Sequence, residues 1–291
     1  MSVHSNIGPL KELREQRMSY VPTTEIAATR TSGAIKLHGP EAFAGMRKAG
    51  RVSAECLDML AEKVVPGVTT QAIDDLVYDF VTAKGALPAT IFYRGYRHAS
   101  CTSINEVVCH GMPSDRELKD GDIINIDVTS IVDGWHGDTS RMYLVGDPAL
   151  KSRRLVDVTY EAMMRGIQTI KPGATTGDIG HAIQAYAEAH SYAVVRDFCG
   201  HGVGQVFHDA PNILHYGRSG AGLALSEGMI FTVEPMINAG KYAVKLKNDG
   251  WTAVTKDRSL SAQFEHTVGV TATGVEIFTA SPAGLNKPPY A

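Results

Sequence analysis

The sequence has little cysteine, little excess charge and no long apolar run. Its four cysteines among 291 residues form no CxxC pair, so neither a disulfide framework nor a zinc finger is expected. A net charge of -3 gives no global reason for nucleic acid or a membrane surface to be the main partner. No stretch of about 18 apolar residues occurs, and no apolar signal segment opens the chain. We therefore expect a cytoplasmic protein with no nucleic-acid or membrane function.

The first regular pattern begins at Pro40. Residues 1–39 are polar, mix both charge signs and show no period, so we predict a polar N-terminal extension there. From Pro40 to Val64, apolar residues recur every three to four positions, which predicts a helix with one buried face that ends at Pro66-Gly67. A second helix is predicted to follow, with Thr70 as its N-cap.

Two stretches of the sequence each recur in similar form further along the chain. The pairs are PGVTTQAI at 66–73 with PGATTGDI at 172–179, and GDIINID at 121–127 with GMIFTVE at 228–234. Each copy ends an apolar strand on a carboxylate, Asp127 in one and Glu234 in the other. We therefore predict an α+β fold of two pseudo-symmetric halves, about 40–150 and 151–280. Each half would supply two helices and an antiparallel hairpin to one central sheet.

The stretch INIDVTSIVDGWHGDTSRMYLVG, residues 124–146, has the composition of a β-hairpin but carries aspartate in both arms. Aspartate is depleted in strands, so Asp127 and Asp138 need an explanation. A type I′ turn at Asp133-Gly134 would place Thr129 opposite Asp138. Because side chains alternate along a strand, Asp127 and Asp138 would then point to the same face, roughly 7 to 8 Å apart.

Two carboxylates on one apolar face repel each other and lose solvation unless they share a proton or bind a cation. Three more candidate ligands stand out in the sequence: Glu234, Glu265 and His201. Four acids with one imidazole suit Mn, Fe, Co or Zn better than Mg or Ca. Five ligands, with carboxylates free to bridge, suit a centre of two metal ions.

Several longer stretches resemble the type I, bacterial methionine aminopeptidases of peptidase family M24. They are SINEVVCHGMP, DGDIINIDVT, GWHGDTSRM, VVRDFCGHGVGQVFHDAP, GMIFTVEPMINAG and DGWTAVTKDRSLSAQFEHTVGVT. The resemblance spans the chain from about Pro40 to Phe278. It implies the pita-bread fold, with helices on the outer face of the sheet, and a catalytic domain over residues 40–291 with a short C-terminal tail.

The resemblance also implies roles for individual residues. Two divalent metal ions, Co, Mn, Fe or Zn, would be bound by Asp127, Asp138, His201, Glu234 and Glu265, with Asp138 and Glu265 bridging. The catalytic residues would be His110, His208 and Glu234, the last as general base. The substrate-binding residues would be Tyr93, Tyr96, Cys101, His110, Phe207, His208 and Trp251. A monovalent cation would bind near Asn105, Val107 and Ser261.

The function that the resemblance implies is removal of the N-terminal methionine from new polypeptides that have a small second residue. The expected protein is a monomer, and the ribosome exit region is a candidate partner. One alternative is an X-Pro aminopeptidase or prolidase, whose core is similar but usually follows a larger N-terminal domain. Others are a non-catalytic binding protein on the same fold and a di-iron oxidase, for which a helical bundle with ExxH pairs would be expected.

Overall fold

Four long helices form where the apolar periodicity predicts them. The computed structural model describes residues 35–91 and 93–290 of the chain. Within those ranges the helices of more than one turn are α1 Pro40–Leu60, α2 Thr70–Ala83, α3 Leu150–Gln168 and α4 Thr176–Ala189. No helix in this part of the chain combines the length and the apolar character needed to cross a membrane. The first helix ends at Leu60, so Val64 is buried beyond it rather than within it.

The N-cap of α2 is Thr69, and the prediction of Thr70 was wrong by one position. The Thr69 hydroxyl accepts the Ala72 amide at 3.1 Å. Thr70 is the first helical residue, and its hydroxyl donates to the Ser114 carbonyl oxygen at 3.1 Å. With two adjacent threonines, the sequence could not show which hydroxyl would have a tertiary partner.

Fifteen short or medium strands accompany the helices in the described ranges. They are β1 Leu87–Pro88, β2 Cys101–Ile104, β3 Val107–Cys109, β4 Ile123–Val132, β5 Trp135–Leu144, β6 Ala193–Val194, β7 Gly200–Gly202, β8 Asp209–Ile213, β9 Ile230–Val233, β10 Met236–Asn238, β11 Val244–Leu246, β12 Ala253–Thr255, β13 Ser261–Gln263, β14 Glu265–Val270 and β15 Val275–Ile277. The main sheet of these residues has nine strands in the order β1-β4-β5-β14-β9-β7-β8, with β2 beside β4 and β15 beside β14. Its pairs are antiparallel.

The central hairpin has the predicted register. Val132 pairs with Trp135 and Thr129 with Asp138, without a bulge along the ladder. Asp133 and Gly134 have φ values of 50° and 81°, the left-handed conformation that a type I′ turn requires. The predicted shared face of Asp127 and Asp138 follows from this register.

The hairpin is packed closely against α1. An added Cβ on Gly137 would lie 2.3 Å from the Ala49 carbonyl carbon and 2.4 Å from the Gly50 nitrogen. Only a residue without a side chain permits this approach of strand to helix. The packing places α1 directly behind the strand that carries Asp138.

The second half forms its strand pair differently from the prediction of a hairpin. Strand β9 pairs with β14, with His266 opposite Val233, but residues 234–264 separate the two strands and contain β10 to β13. The prediction of two similar hairpins was wrong on this point. The pseudo-symmetry is kept in the sheet, where each half supplies neighbouring antiparallel strands.

Two apolar clusters fill the space between helices and sheet. One contains Leu57, Ile73 and Ile126 of the first half, and the other contains Leu155, Ile179 and Phe231 of the second half. Both clusters are fully or almost fully buried. Each pair of helices therefore packs on the part of the sheet that its own half provides, which leaves the opposite face available for polar residues.

The described part of the predicted extension, residues 35–39, contacts the main body. The His38 amide donates to the Gly228 carbonyl oxygen at 2.7 Å, and Lys36 Nζ lies 2.8 Å from Asp209 Oδ2. The remainder of that prediction, residues 1–34, lies outside the described residues. At the other end of the chain, the Tyr290 hydroxyl donates to the Met142 carbonyl oxygen at 2.7 Å.

Candidate metal centre

Five consecutive strands of the main sheet supply the five candidate metal ligands. In sheet order they are β4, β5, β14, β9 and β7, carrying Asp127, Asp138, Glu265, Glu234 and His201. Glu265 opens β14, and Glu234 follows directly after β9. The chain order of these residues differs from their order in the sheet, so the fold is needed to bring them together.

The strand registers put the four carboxylates on one face of the sheet. Asp127 and Glu265 both pair with Ser140, from opposite sides of β5. Asp138 lies two residues from Ser140 on the same strand and so shares its face. Because His266 pairs with Val233, the residues beside them, Glu265 and Glu234, face each other at the ends of their strands. Glu234 therefore lies in the same row as the other acids. The two acids of each half therefore meet in the middle of the sheet.

Three of the candidate ligands lie close enough to share one ion. Suitable oxygen and nitrogen atoms of Asp138, His201 and Glu265 are all within 4.8 Å of one another. His201 Nε2 is 3.5 Å from Asp138 Oδ2 and 3.6 Å from Glu234 Oε1. Asp127 is partly exposed, and the charges that raise its pKa most are those of Asp138 and Glu234.

Threonine hydroxyls orient two of the carboxylates. Thr129 Oγ1 donates to Asp138 Oδ1 at 2.6 Å, across the pair that the hairpin register creates. Thr232 Oγ1 donates to Glu234 Oε1 at 2.7 Å and accepts the amide of His201 at 3.0 Å. One side chain thus connects two candidate ligands on neighbouring strands, and ligands held in this way lose less conformational freedom on binding.

Two further groups fix Glu234, and we did not predict either of them. Its amide donates to His215 Nε2 at 3.0 Å, and its Oε2 accepts from Gln263 Nε2 at 3.4 Å. Burial, followed by the charge of His201, lowers the pKa of His215 to about 3. A neutral His215 has the free lone pair that this hydrogen bond requires.

Burial and repulsion between like charges disfavour charge on the carboxyl groups of Asp127, Glu234 and Glu265. Burial raises the pKa of Asp127 and Glu265 well above the ordinary range, and the charges of Asp138 and Glu234 add to the effect. Burial also raises the pKa of Glu234 to about 7, although the charge of His201 opposes the increase. Burial alone would lower the pKa of His201, but Asp138 and Glu234 outweigh it and raise that pKa.

This set of donor atoms fits a divalent metal ion. Buried carboxylates that repel one another are stabilised when a cation lies between them. Imidazole and carboxylate together match the preferences of Mn, Fe, Co and Zn. The described residues Asp127, Asp138, His201, Glu234 and Glu265 could therefore hold metal, with each carboxylate offering two oxygens.

Aromatic residues flank one side of this cluster. Tyr93 lies 4.9 Å from the His208 ring, stacked on it, and 5.0 Å from the Phe207 ring. The His208 ring is in turn 4.2 Å from His201. Three of the predicted substrate-binding residues therefore form one group, and His208 of that group packs directly against a candidate ligand.

The remaining predicted pocket residues form a second group. Trp251 packs edge-on against Tyr96 at 5.1 Å and against His110 at 6.4 Å. Cys101 is buried and pairs with Asp127 in the sheet.

Burial lowers the pKa of His110. Burial, followed by the charges of His201 and His110, lowers the pKa of His208 to about 2. A neutral His208 can donate one ring N–H.

The sheet also reveals a repeat that we did not find in the sequence. The stretches CTSINEVVCHGMP, from residue 101, and CGHGVGQVFHDAP, from residue 199, share Cys, Val, His and Pro at the same spacing. Strand β2 opens the first stretch and pairs with β4, and β7 near the start of the second pairs with β9. His110 and His208 therefore occupy corresponding positions in the two halves.

The predicted monovalent-cation residues are partly adjacent. The Asn105 carbonyl oxygen accepts the Ser261 amide at 2.8 Å, and Asn105 has a φ of 54°. Its side chain donates to Asp122 at 2.7 Å. Val107 lies on β3, two residues further on. Cation binding here stays a prediction.

Comparison with known families agrees with the fold. Residues 44–272 match metallopeptidase family M24. A prolidase from Pyrococcus furiosus superposes with a TM-score of 0.67 over 84% of this chain and 65% of that chain, at 22% identity. That likeness shows the shared fold alone. The fold, the acidic cluster and the family match define the class of protein, a pita-bread metallopeptidase.

The most informative relatives are bacterial. The methionine aminopeptidase of Rickettsia prowazekii is 61% identical over 257 residues, which cover 88% of this chain and 99% of that protein. Its crystal structure superposes with a TM-score of 0.84 and 60% identity, covering 84% of this chain and 100% of that chain. The methionine aminopeptidase of Escherichia coli K12 is 50% identical over 248 residues, 84% of this chain and 94% of the relative. The chain belongs to the methionine aminopeptidases of family M24, as the sequence resemblance predicted, and it is an enzyme.

Proposed function

We propose that this protein removes the N-terminal methionine from polypeptides by metal-dependent hydrolysis, with a preference for a small second residue. The observation that carries the proposal is the convergence of Asp138, His201 and Glu265 within 4.8 Å, beside the packed rings of Tyr93, Phe207 and His208. Two divalent ions would be held by these three residues together with Asp127 and Glu234. Residues 40–291 would form the catalytic domain.

Metal ions at this site would lower the pKa of a water molecule and polarise the scissile carbonyl group. Glu234 is the proposed general base, which takes a proton from water and returns it to the leaving amine. Its carboxylate is oriented for that role by Thr232 at 2.7 Å and by Gln263 at 3.4 Å. The protein thus fixes the proton acceptor before substrate binds.

His208 would stabilise the negative charge that develops on the carbonyl oxygen. Because burial keeps the ring neutral, with a pKa of about 2, it can donate an N–H without carrying a buried charge. His110, at the corresponding position in the other half, would lie near the scissile amide. The acidic cluster favours a substrate with a free terminal amine, which accounts for exopeptidase action.

The aromatic groups around Tyr93, Phe207 and Trp251 would receive the methionine side chain. An unbranched thioether adapts to such a pocket and gains from contacts between sulfur and aromatic rings. Action near the ribosome exit region, a cytoplasmic location and a monomeric state stay predictions.

The test is turnover of Met-Ala-Ser after metal removal, followed by addition of Mn, Fe, Co or Zn one at a time. We expect chelation to abolish turnover and at least one ion to restore it, because the buried carboxylates need a cation. Full turnover by metal-free protein would refute the mechanism. Cleavage of Ala-Pro-Ala in preference to Met-Ala-Ser would favour an X-Pro aminopeptidase instead.

A further inference from the structure

The segment between β7 and β8, residues 203–208, carries two of the proposed site residues, Phe207 and His208. It has neither helical nor strand structure. Its internal hydrogen bonds include one between the Gly204 amide and the Val206 carbonyl oxygen at 3.1 Å. A short loop of this kind needs outside contacts to hold its side chains in one position.

His136, the second residue of β5, contacts this loop. Its main-chain amide and its ring Nδ1 both lie 2.9 Å from the Gly204 carbonyl oxygen. Since a carbonyl oxygen can only accept, the proton is on Nδ1. The same ring stacks on Phe207 at 5.4 Å, with the planes 14° apart. One buried side chain thus holds both the start of the loop and the aromatic ring near its end.

Lys36 holds the other end of the loop. Its Nζ lies 2.8 Å from Asp209 Oδ2, and the Asp209 side chain is 7% exposed. Asp209 directly follows His208, so the ion pair acts one residue from a proposed catalytic group. A largely buried carboxylate depends more on its partner than a surface carboxylate does.

A shift of the 203–208 loop would be transmitted to the candidate metal ligands by direct contact between side chains. The Phe207 and His208 rings are 4.1 Å apart, and the His208 ring is 4.2 Å from that of His201. Side chains this tightly packed move together. The contacts at His136 and Lys36 therefore determine where His208 lies relative to the candidate metal ligands.

We infer that His136 and Lys36 are positioning residues for the hydrolysis, which fix the 203–208 loop so that Phe207 faces the methionine side chain and His208 faces the carbonyl oxygen. Neither residue was among the predicted site residues. The inference rests on the proposed function, because it assigns these residues an effect on that reaction.

Substitutions at His136 separate its two contacts. His136→Asn keeps a side-chain N–H for Gly204 but loses the ring against Phe207, so KM for Met-Ala-Ser should rise by about tenfold. His136→Phe keeps the ring but loses the N–H. We expect it to increase hydrogen exchange at the amides of residues 203–208 and to lower kcat by about threefold.

His190→Ala is the matched control for His136. The Nδ1 of His190 also lies 2.9 Å from a carbonyl oxygen, that of Tyr186, and its ring is 4.4 Å from the Tyr186 ring. It lies at the end of α4. This variant should keep wild-type kcat and KM.

At the other end of the loop, Lys36→Ala should lower kcat by about tenfold with little change in KM, because His208 acts on the transition state. Lys36→Arg keeps the charge and should restore most of the rate. The control is Lys48→Ala, which removes an exposed pair with Asp133 at 3.5 Å and should leave kcat unchanged.

The two proposals fail in different ways. If wild-type protein does not turn over Met-Ala-Ser with any of the metals, the proposed function fails. If wild type is active but the His136 and Lys36 variants match its kcat and KM, whether or not their thermal stability falls, the positioning role is refuted. Because Lys36 is half-exposed, Lys36→Ala tests the inference even if the His136 variants do not fold.

Discussion

The two halves of the molecule bring their acidic residues together in different ways. In the first half, Asp127 and Asp138 lie on one hairpin whose arms are joined by a two-residue turn. In the second half, Glu234 directly follows β9 and Glu265 opens β14. These two strands pair in the sheet although 30 residues, 235–264, separate the two acids in the chain. Both routes place a pair of carboxylates on the same face.

The difference shows that the sheet register, rather than closeness in sequence, determines the site. Ser140 pairs with Asp127 on one side and Glu265 on the other. The first hairpin therefore fixes the position of Glu265 relative to the acids of the first half. Strands β10 to β13 can therefore be inserted between Glu234 and Glu265 without moving either acid out of the row.

The largest effect is expected from substituting Glu234, and it should differ in kind from the effect of substituting Asp127, the corresponding acid of the first half. If Glu234 is the general base as well as a ligand, Glu234→Gln should lower kcat by about 10²- to 10⁴-fold even at saturating metal. Asp127→Asn should weaken metal binding, so excess metal should recover much of its rate. The measurement is kcat on Met-Ala-Ser against Mn concentration. Equal, metal-recoverable losses in both variants would show that the two acids have the same role.

A second test compares glycines that pack tightly in the two halves. Gly137→Ala would push a methyl group into the backbone of α1, 2.3 Å from the Ala49 carbonyl carbon, so we expect a loss of about 3 kcal/mol in the free energy of unfolding. Gly269→Ala would meet the ends of the Phe278 and Phe43 rings at 2.6 and 2.8 Å. Those rings can shift, so the expected cost is about 1 kcal/mol. Urea unfolding checks both, and a larger loss for Gly269→Ala would contradict the argument.

The helix caps provide a third contrast. Thr175 at α4 forms a capping box with Asp178, whereas Thr69 at α2 makes a single cap bond to Ala72. Asp178→Ala should reduce the free energy of unfolding by about 1 kcal/mol at neutral pH. The test is chemical unfolding of the wild-type protein and of the Asp178→Ala variant at pH 7.

The same substitution predicts a pH dependence. Hydrogen bonds from Ser219, Thr175 and Gly220 hold the pKa of Asp178 well below its usual range. The stability from a lowered carboxyl pKa is present above the unfolded-state pKa and is lost as pH falls through the folded-state pKa. The difference between wild type and Asp178→Ala should therefore shrink below about pH 4. A difference that stays constant down to pH 2 would exclude the charged cap.

The smallest effect is expected at the hairpin tip. Lys48 and Asp133 are both largely exposed and 3.5 Å apart, and such surface pairs contribute about 0 to 1 kcal/mol. Lys48→Ala should change the melting temperature by no more than about 2 °C. A larger decrease would mean that the hairpin depends on this pair and not on its turn and its contact with α1.

Local features of the fold were predictable from the sequence. The helix of Pro40–Leu60 follows from apolar spacing, and the hairpin register follows from the Asp133-Gly134 turn. The sequence could not indicate the pairing of β9 with β14 in place of a second hairpin, because that pairing spans residues far apart in the chain. The prediction of Thr70 as the cap failed for a related reason, since the Thr70 hydroxyl has a tertiary partner at Ser114 and Thr69 caps the helix instead.

The candidate metal centre also combines features that the sequence predicted with features that only the fold shows. Asp127 and Asp138 could be placed on one face from residues 124–146 alone. Gln263 and His215 could not be connected to Glu234, because each hydrogen bond joins segments that only the folded sheet brings together. Thr232 lies two residues before Glu234, but its bond to the His201 amide likewise joins two strands that are distant in the chain. The corresponding positions of His110 and His208 were present in the sequence, but four shared residues in thirteen became meaningful only once β2 and β7 were seen in equivalent places.

By itself the sequence determined the helices, the central hairpin, the duplication and the kinds of side chain available for metal chemistry. These depend on interactions over a few residues, where spacing and turn preferences are decisive. The tertiary structure alone decided which strands are neighbours, how the acids of two halves share one row, and which groups hold the loop that carries His208. Those features depend on strand pairing across large separations in the chain, and there the packing of the whole sheet selects one arrangement among many that the local pattern permits.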